Sequence, residues 1–438
     1  MFIEPKILKG FRDSLPSAEI EKRGLIEKIE TLFRSFGFVP IDTPALEYAE
    51  ILLGKGGGET EKQVYRFTDN GGRDVALRFD LTVPFARFVA EHRVPMPFKR
   101  YHIAKVWRGE NAQRGRYREF TQCDFDVIGV DNAGGDFEIL LMIDSALKAL
   151  GVGDATIRVN HRGLFNQFLT RLGVQEKSGE VLHLVDKLAK VGRGAVLEGL
   201  TKTVGGAAEK ILDFIESKGR FEDVLAKITE MAGEKATVHA ERLALLHKFM
   251  KDAEASASLV LDPSITRGLD YYTGVVYETF LNGLPEIGSV CSGGRYDDLA
   301  GLYSKEGVSG VGASVGLDRL IAAQEALGKP RTQSSYVHVV VACMDEAMFG
   351  VYQNAARKFR DAGVNCEVLL KKTDKLAKQY ILAEKKGAAW MVVYNGGVFT
   401  LRNLKTRENK SFQSAEEAVK AVLSGGVERE LRKNDAFS

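Results

Sequence analysis

Seven basic side chains lie between positions 99 and 118 (Lys99, Arg100, Lys105, Arg108, Arg114, Arg116 and Arg118), against one acid, Glu110. A guanidinium group offers paired N–H donors that match two phosphate oxygens at once, so this density suits a polyphosphate. A solvated hairpin with ordinary surface charge gives the same pattern. Immediately downstream, Gln122, Asp124 and Asp126 alternate with Cys123, Phe125 and Val127. Period-two alternation predicts a strand with a polar row on one face, the kind of row that floors a site. In ALRFDLTVP, Arg78, Asp80 and Thr82 are spaced as one face of another strand. A carboxylate and a hydroxyl so placed can receive an ammonium group, although the wet face of any amphipathic strand looks alike.

Three further clusters are compact in sequence. RGLDYYTG holds Arg267, Asp270, Tyr271 and Tyr272 within six residues. On an extended chain the two tyrosines point to opposite faces, so one lines a pocket and the other packs inward. CSGGRYDDL puts Gly293 and Gly294 beside Arg295 and Tyr296, where a backbone approaches a neighbour closely or simply turns. GVGASVGLDRL runs from a strand into a helix that presents Arg319 near its start. These glycines fit neither a Rossmann fingerprint nor a phosphate-binding P-loop, so any nucleotide is held in another way.

The elements that position these residues can be read from length and pattern. A chain of 438 residues implies about three domains. With 45% hydrophobic and 27% charged residues it can bury real cores, which excludes disorder as the main state. Lys and Arg number 61 against 59 Asp and Glu, a net charge of +2, so any polyanion site is made locally. No stretch reaches the roughly 18 to 20 apolar residues that span a bilayer, and the N-terminus has no apolar signal core, so a cytoplasmic location is expected. The four cysteines and seven histidines are scattered without ligand spacing, which suggests neither a zinc site nor a disulfide framework. Residues 17–36 carry a helical apolar stripe closed by Gly37, and Pro40 and Pro44 place the next segment at a sheet edge. Strands are predicted at 73–82, 99–108 and 119–130. The texture from 163 to 258 is purely helical, and from 336 onward strands and helices alternate, predicting a separate α/β domain with a mostly parallel sheet. Residues 327–335 read as the linker.

In this order the segments closely resemble the histidine-specific class II aminoacyl-tRNA synthetases, from KGFRD near the N-terminus to the last domain. The region ending at Pro44 resembles motif 1, the hairpin from Arg108 to Phe120 motif 2, and GLDRL motif 3. RGLDYYTG and SGGRYDDL resemble the two histidine-specific peptides. Where the common bacterial form of the family has Glu, this chain has Asp80 and Asp126. The resemblance implies an α+β fold: a class II antiparallel-sheet catalytic domain at 1–162 and 259–326, a helical insertion at 163–258, and an α/β anticodon-binding domain at 336–438. It implies activation of L-histidine by ATP with Mg2+, transfer to the 3′ end of tRNA(His), and a homodimer built around motif 1.

The resemblance also assigns residues. Arg108 would hold the α-phosphate of ATP, Glu110 would contact the adenine, Phe120 would stack on it, and Arg116 and Arg319 would bind the distal phosphates. Arg267 and Arg108 would be the catalytic pair, stabilising charge at the α-phosphate. Asp80, Thr82 and Gln122 would grip the α-amino group, while Asp126, Tyr271 and Tyr272 would recognise the imidazole, whose N–H donor suits a carboxylate. In the C-terminal module the segment 357–410 holds 13 basic residues against five acidic ones, an excess of eight that fits an RNA partner. The alternative is a non-catalytic, histidine-sensing paralogue that regulates a biosynthetic enzyme. Such paralogues commonly lack the anticodon domain and the catalytic arginines, and this chain has both.

Overall fold

The computed structural model describes residues 2–54, 61–111, 115–265, 272–297, 301, 303, 307–328, 334–372 and 375–424, except for the side chains of 189 and 190. Two compact units result: Met1–Arg12 with Lys28–Gly328, and Asp13–Glu27 with Lys329–Ser438. Arg114, Arg267 and Tyr271, most of the linker, and residues 425–438 lie outside the described residues.

The first unit is built on eleven strands: β1 (Val39–Pro40), β2 (Leu46–Tyr48), β3 (Arg66–Thr68), β4 (Asp74–Leu77), β5 (Phe98–Trp107), β6 (Glu119–Ile128), β7 (Ala155–His161), β8 (Leu259–Leu261), β9 (Val275–Leu281), β10 (Cys291–Tyr296) and β11 (Gly310–Gly316). Eight of them form one sheet in the order β1-β5-β6-β11-β10-β9-β7-β8. All its pairings are antiparallel except the two at its edges, β1 with β5 and β7 with β8. Pro40 is on an edge strand, as a residue without an N–H should be. β2, β4 and β3 make a small separate sheet.

The sheet has an apolar face and a polar one. Helix α1 (Pro16–Ser35) sets Ile29 and Phe33 one turn apart, and the Phe33 ring lies 4.9 Å from Phe125 and 5.5 Å from Tyr101. Burying such a ring contributes roughly 2–3 kcal/mol. Because register partners share a face, Tyr101 and Phe125 belong to this apolar side, while Arg100 opposite Asp126 and His102 opposite Asp124 belong to the other. Helix α2 (Ala49–Leu53) and helix α3 (Thr82–His92) flank the polar side. Helix α4 (Ala133–Leu150) starts where the side chain of Asn132 accepts from the Gly135 N–H, and stops at Gly151 in the left-handed region. Between β7 and β8 every regular element among the described residues is helical, from α5 (Arg162–Arg171) to α11 (Thr237–Asp252), yet β7 and β8 are sheet neighbours. The helical block interrupts the sequence of one sheet without interrupting the sheet.

After helix α12 (Leu317–Ala326) the second unit forms around its own core, in which Val339, Val340, Val341, Phe359, Met391 and Val392 are fully buried. Its sheet has the order β13 (Cys366–Val368), β12 (Val339–Val341), β14 (Trp390–Asn395), β15 (Val398–Asn403), β16 (Asn409–Phe412). Only β12 with β13 and β12 with β14 pair in parallel; β14, β15 and β16 form an antiparallel meander. The sheet is therefore mixed, not mostly parallel. No helix among the described residues is long and apolar enough to cross a membrane.

Candidate functional site

The polar face of the sheet carries the site. Strand β6 sends Phe120, Gln122, Asp124 and Asp126 to this face in a row, and β11 and β10 extend the floor with Ser314 and Ser292. At one end of the row is a cleft of about 630 Å3 lined by Arg108, Glu110, Arg116, Phe120, Gln122 and Arg319, among others. Arg108 sits over the Phe120 ring at 5.2 Å and anchors through its Nε to the Phe79 carbonyl at 2.9 Å. Glu110 lies 3.8 Å from both Arg108 and Arg116, too far for hydrogen bonds. Arg319 is held by the Ser289 carbonyl. Burial, with Arg116 and Arg108 nearby, pulls its guanidinium down to about 10. Three guanidinium groups face two carboxylates, Glu110 and Asp318, and the second is already paired with Arg12, so an excess of positive charge remains in the cleft, as anion binding requires.

The rest of the charge run has other employment. Lys99 pairs with Glu138 at 2.5 Å, Lys105 with Glu119 at 2.6 Å, and Arg118 donates to the carbonyls of Glu110 and Lys9. Arg100 is fully buried. The expected phosphate-binding run therefore reduces, among the described residues, to Arg108 and Arg116, joined by Arg319 from a distant segment. The cleft is braced from the N-terminus: Arg12 binds Asp318 at 2.6 Å and covers the Tyr117 ring at 4.0 Å, while Asp318 accepts from the Thr121 N–H at 2.7 Å.

At the other end of the row is a carboxylate pocket. Asp126 lies 2.7 Å from Arg100 in an ion pair whose angles miss hydrogen-bond geometry, and its Oδ1 accepts from the Tyr296 hydroxyl at 2.5 Å. Arg100 in turn rests on the Phe85 ring at 4.3 Å. Two glycines make the room. A Cβ at Gly312 would fall 2.0 Å from Asp126 Oδ1, and one at Gly294 would fall 2.9 Å from the Tyr272 ring. Their lack of a side chain admits Asp126 and Tyr272 to the pocket.

Asp80 and Thr82 are not on a strand. Strand β4 ends at Leu77, and Thr82 opens helix α3, with the Asp80 carboxylate accepting from the Val83 N–H at 3.0 Å. Arg78 turns away from them to bind the carbonyls of Thr43 and Lys105. The shared strand face expected for Arg78, Asp80 and Thr82 is thus replaced by a helix start, which suits Asp as a cap and Pro84 in the first turn. Asp80 and Thr82 are nonetheless buried.

Along this row and beside it, Asp80 Oδ2, Gln122 Oε1 and Asp126 Oδ2 are buried oxygens without a hydrogen-bond partner among the described residues, the last held only by its ion pair with Arg100. Buried acceptors left open are expensive, and they mark where a donor-bearing ligand fits. Burial pushes Asp80 up to about 6 against the pull of the Val83 N–H and Arg108. Burial also raises Asp126, opposed by Arg100. Asp124, likewise buried, is pushed up to about 7, with Arg100 opposing and Asp126 and Asp80 adding to the rise. Arg100, Asp124, Ser314 and Tyr296 all stand within segments that the sequence singles out, but sequence reasoning gives none of them a ligand of its own to hold.

A pH effect follows. Unfolded Asp titrates near 4, so between about pH 4 and 7 the folded chain holds a proton at Asp124 that the unfolded chain has lost. The stability that proton carries is present in acid and is lost as pH rises through about 7. Asp124→Asn should therefore raise the stability of the ligand-free protein at pH 8 by on the order of 4 kcal/mol, and hardly change it at pH 3.5, below both titrations. Urea unfolding of both proteins at the two pH values checks this; an equal shift at both would contradict it.

The chain is similar to known proteins along most of its length. The model of the histidyl-tRNA synthetase family matches residues 10–320, and that of an anticodon binding domain matches residues 338–424. A histidine–tRNA ligase of Treponema denticola is 54% identical over 397 residues, covering 89% of this chain and 88% of that protein. The histidine–tRNA ligase of Rhodopirellula baltica is 45% identical over 434 residues, 96% of this chain and 98% of the relative. Among solved structures, the histidyl-tRNA synthetase from Nostoc sp. PCC 7120 matches with a TM-score of 0.83 at 31% identity, over 96% of this chain and 99% of that one.

Proposed function

Because the chain belongs to the histidyl-tRNA synthetase family and is a histidine–tRNA ligase, we propose a division of labour along the β6 row. The arginine cleft takes ATP: Arg108 on the α-phosphate, Phe120 and Glu110 at the adenine, Arg116 and Arg319 on the distal phosphates. The carboxylate pocket takes L-histidine, with Asp80, Thr82 and Gln122 around the α-ammonium, and Asp126, Tyr272 and Tyr271 at the imidazole. The observation that carries this reading is the pair of open buried acceptors, Asp80 Oδ2 and Gln122 Oε1, lying beside a cleft with excess positive charge.

The histidine carboxylate oxygen attacks the α-phosphorus, the bond to pyrophosphate breaks, and a mixed anhydride of histidine and AMP forms. No side-chain nucleophile is needed. Arg108 and Arg267 stabilise charge building on the α-phosphate oxygens, and dipoles fixed in advance do so without reorganisation. The terminal ribose hydroxyl of tRNA(His) then attacks the acyl carbon and AMP leaves. Magnesium ordinarily takes one or two carboxylates together with substrate phosphates. Glu278, across the ladder from cleft-lining Ser292, acts on Arg319 and would fit that role. Magnesium held there would supply charge that neutralises the phosphates.

In this reading residues 1–162 and 259–326 form the catalytic domain, 163–258 an insertion, and 336–438 the anticodon-binding domain. Exposed Leu46, Tyr48 and Phe67 on the small sheet support a homodimer joined near motif 1. A cytoplasmic location accords with the substrates. The sensing paralogue is the weaker reading, since proteins named as ligases match over most of the chain.

Histidine-dependent exchange of pyrophosphate into ATP, without tRNA, tests the proposal. Removal of residues 336–438 should leave exchange within about threefold and lower tRNA charging at least about 100-fold, as loss of a base-reading module implies. Absence of exchange in the full chain would favour the sensor, and unimpaired charging would free the last domain from any role in tRNA selection.

A further inference from the structure

Asp124 stands in the floor between the two halves of the site, and the division of labour above gives it no task. It is buried, and a carboxylate can only accept hydrogen bonds when ionised. Gln122 directs its Nε2 toward Asp124 Oδ1 at 3.3 Å and toward Ser314 Oγ at 3.1 Å. Gln122 Oε1, at the other end of the same amide, is buried and has no partner among the described residues. An amide has two ends of opposite character, and reversing it would set its oxygen against the oxygen of Asp124. The carboxylate therefore decides which end of Gln122 is left for a ligand. With the N–H2 group engaged, an acceptor remains, and an acceptor suits an ammonium group where a donor would repel it.

We propose that Asp124 is a positioning residue for the amino group of the amino-acid substrate, acting through Gln122, whose amide it orients so that Oε1 faces the incoming ammonium. This rests on the reading of the pocket as the histidine site. The register supports it: Gln122 and Asp124 sit two residues apart on one strand face, and Ser314 lies directly across from Asp124 on β11, so both acceptors for Nε2 are fixed by the ladder. Asp126 belongs to the same row but is already engaged by Arg100 and Tyr296.

Asp124→Asn keeps the shape and offers Gln122 either a donor or an acceptor, so the amide is free to reverse. Calorimetric titration of the full-length protein with L-histidine at pH 8, where Asp124 is ionised and can only accept, should show binding weakened about 10- to 100-fold, the range for a misplaced hydrogen bond to a charged group. The amine-free analogue 3-(imidazol-4-yl)propanoate should bind the wild type and the variant equally. Adding Gln122→Glu to Asp124→Asn should restore histidine binding to within about threefold, because a carboxylate presents an acceptor at either end. Unchanged histidine affinity in Asp124→Asn would overturn the inference and leave the histidine site standing. Equal weakening of histidine and the analogue would also overturn it, placing Asp124 in imidazole recognition or in the fold. If the wild type bound neither compound, the pocket assignment and this inference would fall together.

Discussion

Arg108→Ala should lower the rate of histidine-dependent pyrophosphate exchange by about 10²- to 10³-fold, the usual cost of removing one donor from a preorganised oxyanion site. The fold should survive, because the side chain makes one backbone hydrogen bond, to Phe79, and a loose pairing with Glu110. Arg108→Lys should recover little, since an ammonium cannot reproduce a forked contact with phosphate. The informative control is Lys105→Gln, three residues away in the same basic run. Lys105 is exposed and paired with Glu119, so exchange should stay within about twofold. Steady-state exchange rates for the three variants decide the matter. Comparable losses at 105 and 108 would mean that diffuse positive charge does the work and not the geometry at Arg108.

The second large effect is expected at Asp126. Asp126→Asn should reduce kcat/KM for histidine by about 10⁴-fold, the order by which a site built around a hydrogen bond rejects a mismatched partner. It should also destabilise the protein by about 3–5 kcal/mol, because Arg100 is fully buried and would lose the carboxylate it touches at 2.7 Å. The two losses are separable. Asp126→Asn and Arg100→Met in combination remove both charges, so much of the stability should return while histidine recognition stays lost. Urea midpoints and exchange kinetics on the single and double variants measure each part. Return of activity in the double variant would assign Asp126 to the fold alone.

What could be read in the sequence was set by how local the determining contacts are. The β6 row was legible because period-two alternation is intrinsic to a strand, and the register of β5, β6 and β11 keeps Gln122, Asp124 and Asp126 on one face. The Asp80 and Thr82 segment was misread for the converse reason. RFDLT alternates like a strand, but Asp80 capping the Val83 N–H and Pro84 two positions beyond Thr82 were the helix-start signal. In the basic run the local count could not show that Lys99 and Arg100 answer to Glu138 and Asp126, which lie outside it. The last sheet came out mixed because strand and helix alternation stops at β14, and the closing hairpin adds antiparallel neighbours that strand propensity alone does not order. Family resemblance reached further than either pattern, since it grouped Arg319 with Arg108 and Arg116 before any contact was known.

The brace from Arg12 to Asp318 spans 306 positions of sequence. A chain made from its N-terminus exposes Arg12 almost at once, then must extend through the whole helical block before Asp318 and Arg319 emerge. Contacts that close so long a loop form late, since the chain entropy they consume is recovered only when the far partner exists. A ribosome-bound fragment ending between Arg116 and β11 has Arg108 and Arg116 but neither Arg319 nor the clasp that holds the hairpin against it. The nucleotide cleft is thus finished only once Arg319 has been made, and nascent chains short of that point cannot compete with mature enzyme for ATP through a completed site.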